Sequence, residues 1–334
     1  MLNKILEIHN LHISFKTFGG EVQAVRGVNL DLYEGETLAI VGESGCGKSV
    51  TASSIMRLIP TPPGQIKEGS ILFKGQDMTK CSDKKMRGIR GVDISMIFQD
   101  PMTALNPTLT VGDQLTEGLR QHRRVTKKEA DAQAVDMLNL VGIPNPDERM
   151  KQYPYQFSGG MRQRIVIAMA LICEPELLIA DEPTTALDVT IQAQILQLFN
   201  KIQKETGVSI ILITHDLGVV AKVADRIAVM YAGKVVETGT RREIFYEPQH
   251  PYTKGLLHSV PRLDQKGEKL IPIDGTPPDL FSPPEGCPFT ARCPAAMEVC
   301  SRIYPYSTVR SETHEVDCWL QDERAEKYSA TIQS

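Results

Sequence analysis

The stretch GESGCGKS, residues 42–49, constrains this chain more than any other segment. It follows the apolar run Thr37–Val41, a strand candidate, and precedes Val50, Thr51, Ala52 and Ser53, a helix candidate. It fits the pattern GxxxxGK[ST] in full, in the strand–turn–helix context that pattern requires. Glycine lets successive backbone N–H groups turn inward around a phosphate, and the helix beginning near Lys48 aims its positive end at the same place. Lys48 adds a full charge, and the Ser49 hydroxyl can reach a Mg²⁺ ion. A glycine-rich connecting turn would explain the composition but not this context. Gly42, Glu43, Ser44, Gly45, Cys46, Gly47, Lys48, Ser49 and Val50 are therefore expected to form a nucleotide-binding loop.

A second motif belongs with it. LLIADE, residues 177–182, is an apolar strand ending in two acids, which puts both carboxylates at the carboxyl edge of a sheet, where the phosphate loop also lies. Alone, such a pair reads as a solvated turn. Beside a phosphate loop, Asp181 is expected to hold Mg²⁺ through water and Glu182 to orient or deprotonate an attacking water.

Chain-wide properties set the limits. With 334 residues, 41% hydrophobic and 23% charged, there is room for one large domain and a smaller one. A net charge of -4 gives no global reason to expect nucleic acid. The longest apolar run, Ile165–Cys173, is far shorter than the roughly 20 residues that span a bilayer. Lys4, Glu7 and His9 interrupt the first residues, unlike a signal peptide, so a cytoplasmic location is expected. Seven cysteines, three of them scattered, argue against a secreted disulfide framework.

Strand-type runs at Leu38–Val41, Leu177–Ala180, Ile210–Thr214 and Ile227–Met230 alternate with helical patterns, predicting an α/β fold with a mostly parallel sheet. Residues 189–203 place Ile191, Ile195, Leu198, Phe199 and Ile202 on one helical face, with Gly207 placed to end the helix. Between Gly88 and Gly160 the pattern is mainly helical, and Thr126 with Glu129 forms a candidate capping box ahead of Ala134, Met137, Leu138 and Val141. Past Gly239 the texture turns proline-rich and irregular, placing a boundary near 239.

FSGGMRQR, residues 157–164, resembles the signature of ATP-binding cassette proteins. Ser158 is also a good N-cap for a helix from Gly159 to Cys173, whose N-terminal N–H groups suit an anion. Other cassette motifs fall in order: Gln99 in IFQDP resembles the Q-loop, Ala186 to Asp188 the D-loop, His215 in ITHD the switch histidine, and Phe15 the aromatic that stacks on adenine. A lone histidine or phenylalanine would mean little; their order relative to the phosphate loop promotes them. The resemblance covers residues 5 to about 238. It implies a P-loop cassette over 1–238, with antiparallel edge strands and an inserted helical subdomain over 88–164. It further implies ATP and Mg²⁺ as ligands, with Ser49, Gln99 and Asp181 at the metal and Glu182, His215 and Gln99 in catalysis. Two such cassettes pack head to tail, each ATP sandwiched between one chain's Lys48 side and its partner's Ser158, Gly159, Gly160 and Met161, with Asp188 nearby. Gln99 would carry the motion to a membrane partner. The signature here reads SGGM where the family's commonest form is SGGQ, and Met161 cannot make the glutamine's hydrogen bonds.

The remaining stretch, 239–334, is expected to be a small irregular extension. IFYEPQHPYTKGLLHSVPRLD, residues 244–264, resembles the C-terminal extension of peptide-importer ATPases; HPYT could start a helix docking on the cassette, and simple packing explains it as well as a functional role does. Cys287, Cys293, Cys300 and Cys318 lie at irregular intervals without the short Cys-x₂₋₄-Cys spacing of zinc sites. Such local density favours metal over disulfide, and the spacing is compatible with an iron–sulfur cluster. The resemblance implies a [4Fe–4S] cluster of structural role on these four thiols, zinc being the lesser alternative. The expected function is that of an ATP-hydrolysing subunit of a peptide importer, peripheral on the cytoplasmic face of the membrane. It would work beneath two integral membrane permease subunits, beside a second, related but distinct ATPase subunit, and indirectly with an extracytoplasmic peptide-binding protein, without nucleic acid. A soluble cassette ATPase of DNA repair or translation is the alternative. Cargo, whether dipeptide, longer peptide, nickel or glutathione, would be chosen by other chains.

Overall fold

A computed structural model describes residues 3–99, 104–185, 187–259 and 272–325. Ala186 of the D-loop stretch and residues 260–264 of the importer-like stretch lie outside them. Along the chain come β1 (Lys4–Thr17), β2 (Gly20–Tyr33), β3 (Thr37–Val41), α1 (Lys48–Ile55), β4 (Gly64–Phe73), β5 (Gln76–Asp77), α2 (Asp83–Ile89) and β6 (Ile94–Ile97). Helices α3 (Val111–His122), α4 (Lys127–Leu140), α5 (Pro146–Arg149) and α6 (Gly159–Leu171) follow, then β7 (Leu177–Asp181), α7 (Val189–Thr206), β8 (Ser209–Thr214), α8 (Leu217–Val223), β9 (Arg226–Tyr231) and β10 (Lys234–Thr240). The last elements include α9 (Arg241–Tyr246), α10 (Pro251–His258), α11 (Glu298–Arg302), β11 (Ser307–Val309) and β12 (Glu315–Asp317). Two compact units are formed, and the chain passes between them several times.

The first unit holds the described chain up to Ile5, Leu32–Thr37 and the described parts of Lys80–Thr214. Its strands β6, β7 and β8 are parallel, with Ile97 opposite Ala180 and Asp181 opposite Ile213. Every residue of β7 and β8 is buried, which is why both read as continuous apolar runs. On α7, Ile195, Leu198, Phe199 and Ile202 are buried, while Ile191 is only partly so. Asp188 caps the start of this helix by accepting from the Ile191 amide at 2.9 Å, and Gly207 ends it with φ +73°. Helices α3, α4 and α6 pack on one another around Leu115, Leu119, Ala134, Leu138 and Ile165. The capping box at Thr126 and Glu129 forms as expected.

The second unit holds Leu6–Asp31, Leu38–Thr79 and the described chain from His215 onward. One sheet has the order β2-β1-β4-β5, with β1 and β4 antiparallel and Phe15 opposite Gly64. Beside β3, β9 runs parallel, pairing Val41 with Val229; β10, β12 and β11 then follow antiparallel. The extension is therefore less irregular than its proline-rich texture suggests, because β11 and β12 are too short to leave a periodic signal. Helix α10 does start on a proline, with His250 as its cap.

Two acids, Glu237 buried and Glu243 partly so, tie these pieces together. Glu237 on β10 accepts from the Gln249 and His250 amides at 2.7 and 3.0 Å, and pairs with His314 Nε2 at 2.8 Å. Glu243 on α9 accepts from the Thr240 amide at 2.8 Å, the Ser311 hydroxyl at 2.6 Å and the Thr313 hydroxyl at 2.9 Å. Burial alone would raise the Glu243 carboxyl, but these hydrogen bonds outweigh it and hold it at about 2. The ionised form is thus favoured by folding, so its contribution is complete above the unfolded value of 4.5 and is lost as pH falls toward 2. We predict that the thermal midpoint of the protein declines between about pH 5 and pH 3, and that Glu243→Gln makes this decline shallower. Parallel pH profiles for the two proteins would disprove the assignment.

Candidate functional site

The phosphate loop is built by its glycines. Gly42 and Gly47 have φ of +151° and +101°, where a side chain would be strained. A Cβ on Gly42 would lie 2.1 Å from the Met230 carbonyl oxygen, and one on Gly47 would lie 2.4 Å from that of Ala24. No side chain of the N-cap residue, Gly47, caps α1, whose positive dipole end lies at the loop and suits an anion. Lys48 is 5% exposed; its ammonium donates to the carbonyls of Gly42 and Glu43 at 2.7 and 2.9 Å and lies 3.8 Å from Cys46 Sγ. Ser44, Gly45 and Ser49 face solvent. In the same unit Phe15 is half-buried beside Gly64, and His215 is exposed immediately before Asp216, which caps α8.

The first unit assembles the acids. Asp181 is buried at the end of β7, and Glu182 follows in the left-handed region at φ +47°, uncommon for a residue other than glycine. The Glu182 amide is anchored to the Ile213 carbonyl at 2.9 Å. One carboxylate oxygen of Glu182 accepts from Gln99 Nε2 at 3.0 Å and from the Thr185 hydroxyl at 2.9 Å. Two expected catalytic residues therefore meet, and Thr185 joins them without having been marked by the sequence.

The signature residues lie at the start of α6. Ser158 caps that helix, accepting from the Met161 amide at 3.4 Å, and Ser158 and Gly159 are exposed. Gly160 lies so close to α7 that a Cβ would stand 2.8 Å from Ile191, which brings the start of the signature helix against the helix that Asp188 caps.

Cys287, Cys293, Cys300 and Cys318 line one pocket, together with His250, Phe289 and Trp319. Among the described residues, however, no group of three or more histidines, cysteines or acids is arranged to hold a metal ion, so the geometry gives no support to the iron–sulfur cluster, or the zinc, expected on these four thiols. Burial pushes the Cys293 thiol up to about 11 and the Cys318 thiol up to about 12.

Glu43 brings in residues that sequence reasoning missed. Its carboxylate is held bidentately by Arg292 at 2.7 and 3.0 Å, and its amide donates to the Tyr252 hydroxyl at 2.9 Å. Both partners come from the extension, where only the HPYT run hinted at docking.

Comparison with known proteins places the chain in a family. The family described as ABC transporter matches residues 25–185, and that described as oligopeptide/dipeptide transporter, C-terminal region, matches 236–300. The chain is similar to the dipeptide transport ATP-binding protein DppD of Bacillus subtilis, 71% identical over 97% of each chain. It is also similar to the oligopeptide transport ATP-binding protein OppD of the same organism, 60% identical over 96% of this chain and 89% of that one. Among solved structures, the dimeric cassette MJ0796 is 29% identical with a TM-score of 0.63, covering 71% of this chain and 99% of that one.

Proposed function

The chain belongs to the ATP-binding cassette transporters, as an ATP-binding subunit of a dipeptide or oligopeptide importer, and from that premise we propose how its residues drive the ATPase and what they assemble with. Glu182 takes a proton from the water that attacks the γ-phosphorus, as the bond to the leaving diphosphate breaks. The observation that carries this role is the pair of hydrogen bonds from Gln99 and Thr185, which hold the carboxylate in one orientation. Lys48 takes phosphate charge, His215 contacts the γ-phosphate, and Phe15 stacks on adenine. Ser49, Asp181 and the Gln99 amide oxygen are hard oxygen donors of the kind magnesium prefers, and magnesium supplies neutralisation of the phosphate charge. Ser158, Gly159, Gly160 and Met161 receive the ATP of a partner cassette. Their support is the exposure of Ser158 and Gly159 and the similarity to a dimeric cassette.

We further assign two membrane permease subunits, a second and distinct ATPase subunit, and an extracytoplasmic peptide-binding protein as partners, with this chain peripheral on the cytoplasmic face. No helix among the described residues is long and apolar enough to cross a membrane. The cysteine pocket is read as the seat of a [4Fe–4S] cluster on Cys287, Cys293, Cys300 and Cys318. What supports this reading is that all four cysteines line one pocket, without the short Cys-x₂₋₄-Cys spacing of zinc sites. Bound there, a cluster would cross-link the segments that carry these cysteines.

Isolation of the intact assembly tests the function: integral membrane subunits should co-purify, and peptides should stimulate ATP turnover. Nucleic-acid binding without membrane partners would refute it. Glu182→Gln is expected to keep ATP affinity, lower turnover by roughly 10²–10⁴-fold and retain ATP in a stable cassette dimer; near-normal hydrolysis would mean that the water is activated elsewhere. Anaerobically purified protein should be brown and contain iron, and Cys293→Ser should bleach it. Colourless, iron-free protein would rule out the cluster.

A further inference from the structure

Glu43 is the second residue of the phosphate loop, and a carboxylate there repels the triphosphate that the loop exists to bind. The structure holds this residue at three separate points. Its carbonyl accepts from the Lys48 ammonium, its amide donates to the Tyr252 hydroxyl, and its carboxylate takes a two-pronged ion pair from Arg292. Of these partners only Lys48 belongs to the nucleotide-binding motif.

Arg292 is committed to this task. Its side chain is 5% exposed, and all five of its N–H groups are used: Nε on the Asp274 carbonyl, Nη1 on Glu43 and the Tyr231 hydroxyl, Nη2 on Glu43 and the Ile273 carbonyl. Tyr252 is fully buried, its ring packed against Tyr231 at 4.5 Å and Phe289 at 5.4 Å, so its hydroxyl cannot easily be replaced by water. A planar, saturated guanidinium is a poor candidate for a mobile surface ion pair, whose contribution would be small.

We propose that the C-terminal extension completes the ATP site: Arg292 neutralises the Glu43 carboxylate and Tyr252 fixes its amide, so that the loop backbone is set to receive the triphosphate. The inference rests on GESGCGKS being the ATP site. Neither residue touches nucleotide; both are positioning residues acting through Glu43.

Equilibrium titration of the full-length protein with a fluorescent ATP analogue and magnesium tests this. Arg292→Gln should raise Kd about tenfold, since it leaves a carboxylate uncompensated beside the phosphates. Glu43→Gln should bind about threefold tighter than wild type, and adding it to Arg292→Gln should recover most of the loss, a non-additivity that mere destabilisation of the extension would not produce. Tyr252→Phe removes only the hydroxyl and should raise Kd about threefold, measured at a temperature where the variant is fully folded. Wild-type affinity in Arg292→Gln, or a double variant as weak as Arg292→Gln, overturns the proposal. Should Arg292→Gln not fold, Tyr252→Phe decides alone, and unchanged affinity there overturns it. Failure of the wild-type protein itself to bind ATP would instead strike at the assignment of the loop.

Discussion

A buried ammonium held by two backbone carbonyls and a cysteine sulfur, with no carboxylate on it, is the constraint around which the nucleotide half of this protein is arranged. Lys48 is nearly inaccessible and donates to the Gly42 and Glu43 carbonyls. Burying a charge is costly unless it is well solvated by protein groups, and two carbonyls compensate it without neutralising it. The loop can present those carbonyls only because Gly42 and Gly47 adopt conformations closed to other residues, with Met230 of β9 and Ala24 of β2 directly behind them. Strand β9 therefore shapes the loop as much as the loop's own sequence does. The positive charge is kept for an anion that brings its own negative charge.

The other half solves a different problem. A general base is useful only if its lone pairs point where the water will be, and an exposed glutamate has three rotatable bonds. Gln99 and Thr185 remove that freedom by meeting on one carboxylate oxygen, while the left-handed backbone at Glu182 is held by the Ile213 carbonyl on the neighbouring strand. Backbone in that region costs of order 1–3 kcal/mol and persists where its surroundings over-determine it. Gln99 also follows closely on β6, so a displacement of the helical segment beyond it would be felt directly at the base.

Much of this was legible because it is local. The runs at 38–41, 177–180, 210–214 and 227–230 all became strands, since buried parallel strands leave unbroken apolar stretches, and Gly207 and the Thr126–Glu129 box marked helix ends through their own chemistry. Glycine spacing at 42–47 foretold the loop for the same reason. Polar pairs distant in sequence left no such trace. Gln99 and Glu182 are separated by 83 positions, and Glu43 and Arg292 by 249. No periodicity encodes a bond between one side chain and another that far away. Strands β11 and β12 were missed because three residues cannot establish alternation, and β12 is recruited by the exposed edge of β10 rather than by its own propensity.

Local charge balance explains why an acid can stand in the loop at all. Lys48 and Arg292 bring two positive charges close to Glu43, and the geometry divides their work: the guanidinium takes the carboxylate with two parallel bonds, leaving the ammonium on carbonyls. Were Lys48 the only cation present, the carboxylate would compete with phosphate for it, and the loop would hold its own counter-ion in place of substrate. Placing the second cation on a distant, rigid segment prevents that competition. Arg292 precedes Cys293, and the Tyr252 amide donates to His250 Nδ1, a ring that lines the cysteine pocket. The order of the extension and the shape of the phosphate loop are thus joined through covalent neighbours and a single hydrogen bond.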